Sequence, residues 1–308
     1  MNAPPFLRPG DTVGVVAPAS WFPYAELAEG LRILRDDWHL NVIEGESLHA
    51  IDGPFAGSDD LRRADLQRLF DDPTVRAVFA ARGGYGCYRI ADDLDLSGLQ
   101  ANPKWLVGFS DVTVLLSLLQ NYGLVSLHGL MPRQFGDPAR AASQESVRQW
   151  LFGEFPANYV VPAHPLNRLG HAKGTLVGGN LTMLVNSIGT PTDLDFEGKI
   201  LFIEDVDETF FSLDRMMTQL RRSGRLAKLA GLVVGQFTDM RSNQSLPFGK
   251  DAFEIIADTI SAYSYPVLFD FPAGHIEFNL ALPIGKSVEL VVETGNARID
   301  FLSTGLTG

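Results

Sequence analysis

Residues 105–119 read WLVGFSDVTVLLSLL, and the architecture follows from how this stretch divides. Trp105–Gly108 is a short apolar run of β character, Phe109-Ser110-Asp111 turns the chain, and Val112–Leu119 continues as a helix. The same alternation lies on either side. Thr12–Pro18 (TVGVVAP) is a β-type run closed by proline, and Leu27, Leu31 and Leu34 recur at helical spacing within Tyr24–Asp36. Ser58, Asp59 and Asp60 supply a cap and an acidic first turn for a helix reaching Phe70. Ala77–Ala81 (AVFAA) and Val125–His128 are the neighbouring strands. Strands alternating with helices in this way predict a parallel sheet covered on both faces, a doubly wound α/β domain.

From Gly153 to Lys173 the pattern lapses around Pro156, Pro162 and Pro165, which reads as a linker. Order then returns. Asn180 caps a helix through Ile188, Lys199–Ile203 (KILFI) is a buried strand, and Ser212–Ser223 places Leu213, Met216, Met217 and Leu220 on one helical face. Ala230–Gly235 is a further strand, Asp251–Ser261 a helix, and Ser287–Val292 with Arg298–Phe301 a closing hairpin. The expected division is an N-terminal α/β domain over 1–152, a linker over 153–173 and a C-terminal α/β domain over 174–308, with the functional cleft between the domains.

A chain of 308 residues suits about two domains at roughly 100–200 residues each, and 45% hydrophobic with 20% charged residues is ordinary globular composition. The apolar runs fall far short of the ~18 residues that span a bilayer, and Met-Asn-Ala-Pro-Pro opens without a basic, then apolar, leader. The expectation is a soluble, cytoplasmic protein that does not engage membranes. With 25 basic and 37 acidic residues the net charge is −12, which disfavours nucleic acid as a partner. The single cysteine, Cys87, excludes an internal disulfide and a multi-cysteine metal cluster.

Ligands of open α/β sheets collect at the carboxyl ends of strands, so reactive side chains just after strands are the candidates. Ser110 stands between a strand and a helix, where a nucleophile elbow pushes its hydroxyl outward beside a helix N-terminus; Val112 replaces the second glycine of G-x-S-x-G. The competing reading is a plain N-cap. Glu204 ends KILFI and could orient a histidine. With Asp205, Asp207 and Glu208 it also forms a run of four carboxylates, which suits a metal site or an exposed acidic loop. His275, in Gly274–Asn279 (GHIEFN), follows the strand-like Val267–Phe269, and among the six histidines only His128 rivals it as general base. The order Ser110, Glu204, His275 matches one group of triad enzymes. Gly83-Gly84-Tyr85-Gly86 lacks a nucleotide-loop signature and offers free backbone N–H groups suited to an oxyanion. Cys87 reads as a small buried residue.

Gly10–Ser20 (GDTVGVVAPAS), Ala81–Gly86 (ARGGYG), Gly108–Val112 (GFSDV), Gly178–Leu181 (GGNL), Leu201–Glu208 (LFIEDVDE), Leu213–Leu220 (LDRMMTQL) and Gly274–Asn279, taken in order, resemble the LD-carboxypeptidases, or murein tetrapeptide carboxypeptidases. The resemblance runs from residue 10 to about 285. It implies a doubly wound N-terminal domain, a C-terminal domain with a mixed sheet, and a homodimer. It further implies a Ser110–Glu204–His275 triad, an oxyanion hole from the amides of Gly84 and Asp111, and no metal or organic cofactor. The expected substrate is a small peptide, the cytoplasmic murein tetrapeptide of wall recycling, cut between meso-diaminopimelate and D-alanine. A related branch hydrolyses peptide-nucleotide antibiotics of the microcin C type. The compact Asp205–Arg215 loop resembles the cell-wall branch. A two-domain binding protein without catalysis is the alternative from another class. A carboxypeptidase must also hold a terminal carboxylate, for which Arg82, Arg89 and Arg215 are candidates by position.

Overall fold

A computed structural model describes residues 2–243 and 245–302. Its first half runs β1 (Thr12–Val16), α1 (Ala28–Arg32), β2 (Asn41–Glu44), α2 (Asp59–Asp71), β3 (Val75–Ala80), α3 (Ser97–Ala101), β4 (Trp105–Gly108), α4 (Thr113–Asn121), β5 (Ser126–His128) and α5 (Ala141–Phe152). The second half runs β6 (Asn158–Pro162), β7 (Gly170–Asn180), α6 (Leu181–Asn186), β8 (Ile200–Val206), α7 (Phe210–Arg222), β9 (Gly231–Thr238), α8 (Ala252–Thr259), β10 (Val267–Leu268), β11 (Leu282–Ile284), β12 (Ser287–Val292) and β13 (Asn296–Phe301).

Two sheets organise these elements. The first has the order β11-β5-β4-β3-β1-β2, parallel from β2 to β5 and closed by the antiparallel β11. The second has the order β10-β9-β8-β7-β12-β13-β6, parallel from β10 to β7 and antiparallel beyond, so it is mixed. Alternation along β8 explains how the sheets meet. Ile200 and Phe202 join the large core shared with the first sheet, whereas Leu201 and Ile203 join a second core under α7 and α8. Between the sheets lies α4, buried from Thr113 to Gln120, as a helix apolar on all sides requires.

The predicted strands and helices form within a few residues of their expected positions, and Ser58 caps α2 by accepting from the Leu61 N–H at 3.2 Å. Three segments differ. The expected helix over Tyr24–Asp36 is a 3-10 turn, the short α1 and a π turn over Ile33–Asp37, although Leu27, Leu31 and Leu34 are buried as the spacing demands. Gly30 in its middle lies against the backbone carbonyl of Pro132, where any Cβ would collide. The stretch 153–173 contains β6 and the start of β7, both strands of the second sheet, so more than a connection runs there. Its prolines are tolerated because β6 is an edge strand. And β11, far along the C-terminal half, returns to pair with β5 of the first sheet.

Gly178 illustrates how tightly β7 and β8 are joined. It takes φ +116°, and a Cβ there would overlap the carbonyl oxygen of Phe202. Gly178→Ala is expected to destabilise the fold by about 2–4 kcal/mol, through backbone strain added to overpacking. Urea unfolding of the variant beside wild type measures this; a loss below about 1 kcal/mol would contradict the contact.

Candidate active site

The site starts at the end of β4, whose four residues are all buried. Gly108 admits the Val112 side chain, since a Cβ would stand 2.8 Å from Val112 Cγ1, and the chain turns abruptly. Ser110 takes φ 63°, the left-handed region that costs a residue with a Cβ about 1–2 kcal/mol. An N-cap has extended backbone and a side chain accepting from the helix, and Ser110 has neither. Ser110 is therefore a strained turn residue and not an N-cap. Gly83 faces it: a Cβ at 83 would stand 3.1 Å from Ser110 Cβ and 3.4 Å from Oγ.

The glycine loop is tied to the elbow by Asp111, whose buried carboxylate accepts from the Cys87 N–H at 2.8 Å. Burial raises the Asp111 pKa, against the lowering effect of the Cys87 hydrogen bonds. Gly84 has φ +116° and packs on the Ser20 hydroxyl so closely that no Cβ fits. The backbone N–H groups of Gly84 and Asp111 donate to no hydrogen-bond partner among the described residues. Cys87 is fully buried, and burial, then the Asp111 charge, push its thiol pKa well up, so it is held as an inert thiol.

Glu204 follows the alternation of β8. It shares the face of Ile200 and Phe202, so it points toward the first domain, while Asp205 points away. The register with β9 slips between Ile203 and Asp205, a bulge opposite Glu204. Glu204 is completely buried and its Oε2 lies 2.7 Å from His275 Nδ1. A carboxylate accepts only, so the Nδ1 proton is donated to it and Nε2 is left as the basic nitrogen. Burial works against the imidazolium, but the charge and hydrogen bond of Glu204, with a smaller contribution from Asp205, outweigh it and raise the His275 pKa. The His275 ring packs on Phe109 at 4.9 Å between centroids, one residue from Ser110. The Ser110 hydroxyl itself forms no hydrogen bond among the described residues.

His128 has no carboxylate partner of this kind among the described residues. It is fully buried beside Phe109 and Phe202, neither ring nitrogen has a partner among the described residues, and burial lowers its pKa to about 4. The acidic run disperses: Asp205 accepts from Asn180 and Thr182, Asp207 pairs with Arg241 at 3.4 Å, and Glu208 accepts from Thr182 at 3.3 Å. Among the described residues no group of three or more His, Cys, Asp or Glu side chains is arranged to hold a metal ion.

Several positioning residues escaped the sequence reading. Arg62 is fully buried and donates to the carbonyls of Pro18 (2.7 Å) and Gly86 (3.1 Å), with Asp59 as its ion-pair partner. Its spacing to Leu66 and Leu69 on the apolar face of α2 was the available signal. Arg140 and Ser143, before and on α5, brace the His275 loop through the carbonyls of Ile276 (3.0 Å) and Glu277 (2.6 Å). Gly274 has φ +131°, and a Cβ there would press on Glu204 Oε2 at 3.0 Å.

Comparison with known proteins places this geometry. The LD-carboxypeptidase N-terminal domain matches residues 13–129 and the LD-carboxypeptidase C-terminal domain matches residues 173–290. The chain belongs to the LD-carboxypeptidase family. A probable murein peptide carboxypeptidase of Bacillus subtilis (strain 168) is 39% identical, covering 96% of this chain and 94% of the relative. The murein tetrapeptide carboxypeptidase of Pseudomonas aeruginosa is 34% identical, covering 90% and 92%. Among solved structures, muramoyltetrapeptide carboxypeptidase from Oxalobacter formigenes superimposes with a TM-score of 0.84 at 30% identity, covering 94% of this chain and 98% of that one. MccF in complex with glutamyl sulfamoyl guanosine gives 0.86 at 21% identity, covering 100% and 99%, which shows a shared fold. No helix among the described residues of this family member is long and apolar enough to cross a membrane.

The raised His275 pKa makes a prediction for pH dependence. A base must be neutral, so kcat/KM is expected to climb with pH on its acidic limb, with a midpoint above the ordinary 6.5 of histidine. Glu204→Gln removes the charge that raises it. That variant should shift the midpoint to lower pH and reduce kcat by about 10²–10⁴-fold. A midpoint that stays in place in a pH–rate profile would mean that His275 does not feel Glu204.

Proposed function

We propose that the protein is a serine-type LD-carboxypeptidase that removes the terminal D-alanine from murein tetrapeptides, cutting its bond to meso-diaminopimelate. The observation that carries this reading is full-length identity of 34–39% to murein peptide carboxypeptidases. In this reading Ser110, Glu204 and His275 form the triad. Glu204 holds the Nδ1 proton, and Nε2 of His275 takes the proton of Ser110 as its oxygen attacks the scissile carbonyl. The backbone at φ 63° turns the Ser110 side chain toward Gly83 of the glycine loop.

The oxyanion that forms is received by the Gly84 and Asp111 amides, which have no other partner to release among the described residues. His275 then protonates the leaving D-alanine and activates water to free the acyl enzyme. Every step is served by side chains and amides of this chain, and none calls for a cofactor. The reading includes a cytoplasmic place of action in wall recycling and a homodimer, both in keeping with the family resemblance.

Purified protein given a murein tetrapeptide should release D-alanine at the same rate with and without a chelator. Ser110→Ala should reduce kcat by at least about 10³-fold with unfolding unchanged. Release by Ser110→Ala near the wild-type rate would remove Ser110 as nucleophile. If wild type releases nothing, a peptidyl-adenylate of the microcin C type becomes the substrate to try.

A further inference from the structure

The first sheet changes winding direction between β1 and β3, the place where doubly wound sheets open a crevice at their carboxyl ends. The chain leaving β1 reaches Ser20, and the chain leaving β3 reaches Arg82, Gly83 and Gly84. The Ser20 hydroxyl oxygen accepts from the Tyr85 N–H at 3.0 Å, which leaves its own proton free to donate. Arg82 is half-buried, and its Nη1 donates to the Trp21 carbonyl at 3.1 Å, which fixes the guanidinium. Its Nη2 lies 3.5 Å from where a Cβ on Gly84 would stand, and hence within about 5 Å of the Gly84 Cα, one C–C bond further on.

What sets Arg82 apart is its lack of a counter-ion. Among the described residues no carboxylate lies within 4 Å of it. Glu26, the acid whose charge it feels, is held by Arg133 at 2.6 Å. The other arginines near the loop or proposed by position are occupied or remote from it. Arg89 is paired with Asp59 at 2.8 Å, and Arg62 is enclosed among carbonyls with Asp59. Arg140 serves Asp137 at 3.4 Å and the Ile276 carbonyl, and Arg215 stands exposed on α7 with Ser212. Burial and the neighbouring Arg133 charge both act against the Arg82 cation. A partly buried guanidinium without a counter-ion is open to an anionic ligand, which it can hold with charge-assisted hydrogen bonds.

We propose that Arg82, assisted by the Ser20 hydroxyl, binds the free α-carboxylate of the substrate's terminal residue. The inference rests on the carboxypeptidase reading, in which the Gly84 amide meets the scissile oxygen. In a C-terminal residue the carboxylate carbon lies within about 4 Å of the scissile carbon, separated from it by one nitrogen and one Cα. A cation beside the oxyanion amide therefore reaches it, and a bidentate grip would fix the last residue against Ser110. An internal peptide bond brings no charge to this position and leaves Arg82 unpaired. Arg82 would thus make the site an exopeptidase's.

The test compares wild type, Arg82→Ala and Arg82→Lys on a murein tetrapeptide and on the same peptide ending in a carboxamide. The ratio of kcat/KM for acid over amide should fall about 10- to 100-fold in Arg82→Ala and partway in Arg82→Lys, which keeps the charge but not the fork. Circular dichroism and thermal unfolding establish that each variant is folded. If Arg82→Ala does not fold, Arg82→Lys carries the comparison. An unchanged ratio in the folded variants overturns the proposal. If wild type cleaves neither peptide, the substrate reading has failed on its own account. Calorimetric titration with N-acetyl-D-alanine and its carboxamide then decides: a preference for the acid that Arg82→Ala loses supports Arg82 as the carboxylate receptor, and equal affinities refute it.

Discussion

A carboxylate with no exposure to water is the constraint from which the rest of the site follows. Glu204 sits inside β8, where an unpaired charge would cost several kcal/mol, and its partner is the Nδ1–H of His275 at 2.7 Å. Because one contact compensates the burial, the loop carrying His275 has to be held still. Gly274 makes room for Glu204, its N–H is taken by the Asn279 side chain at 2.9 Å, and Arg140 and Ser143 grip the carbonyls of Ile276 and Glu277. Residues far apart in the chain thus serve a single hydrogen bond.

Ser110 follows β4 of the first sheet, Glu204 stands on β8 of the second, and His275 lies in the loop between β10 of the second sheet and β11 of the first. The structure couples the two sheets by short polar links. Thr113, at the start of the helix that follows the elbow, accepts from the Asn180 N–H at 3.0 Å, and the Asn180 side chain donates to Asp205 at 2.8 Å. Asp205 is the residue next to Glu204, and burial, then the Glu204 charge, lift its pKa to about 6. Adjacent carboxylates on opposite faces of β8 therefore take different partners: Glu204 accepts from His275, and Asp205 accepts from Asn180, which is itself bonded to Thr113 at the start of α4. The return of β11 into the first sheet, just after the His275 loop, closes the arrangement. Strain at Ser110 persists because β4 and α4, on either side of it, are buried and cannot relax.

The elements that were legible in the sequence share a property: their signal is local. Apolar runs bounded by glycine or proline marked β3, β4, β8 and β9, Ser58 and Asn180 announced their helices, and the strand-end rule pointed to Glu204 and His275, which the fold brings to 2.7 Å. Some of what was missed had no local signal. Strands β2 and β6 are edge strands of mixed exposure, and β11, with three residues, has meaning only beside β5. His128 and His275 each follow a strand and look alike as text. One is sealed between Phe109 and Phe202, and the other faces Glu204.

By itself the sequence determined the α/β alternation, the identity of the chemically able residues and the family, because side-chain periodicity and residue chemistry are written along the chain. The tertiary structure decided which roles those residues can take. Ser110 became a strained turn residue rather than a cap through a backbone angle imposed by packing. Arg82 stands apart from Arg89 and Arg140 because carboxylates reach the latter two and not the first. Burial, pairing and strain are properties of neighbours brought together from distant positions, and a one-dimensional pattern does not specify which neighbours will meet.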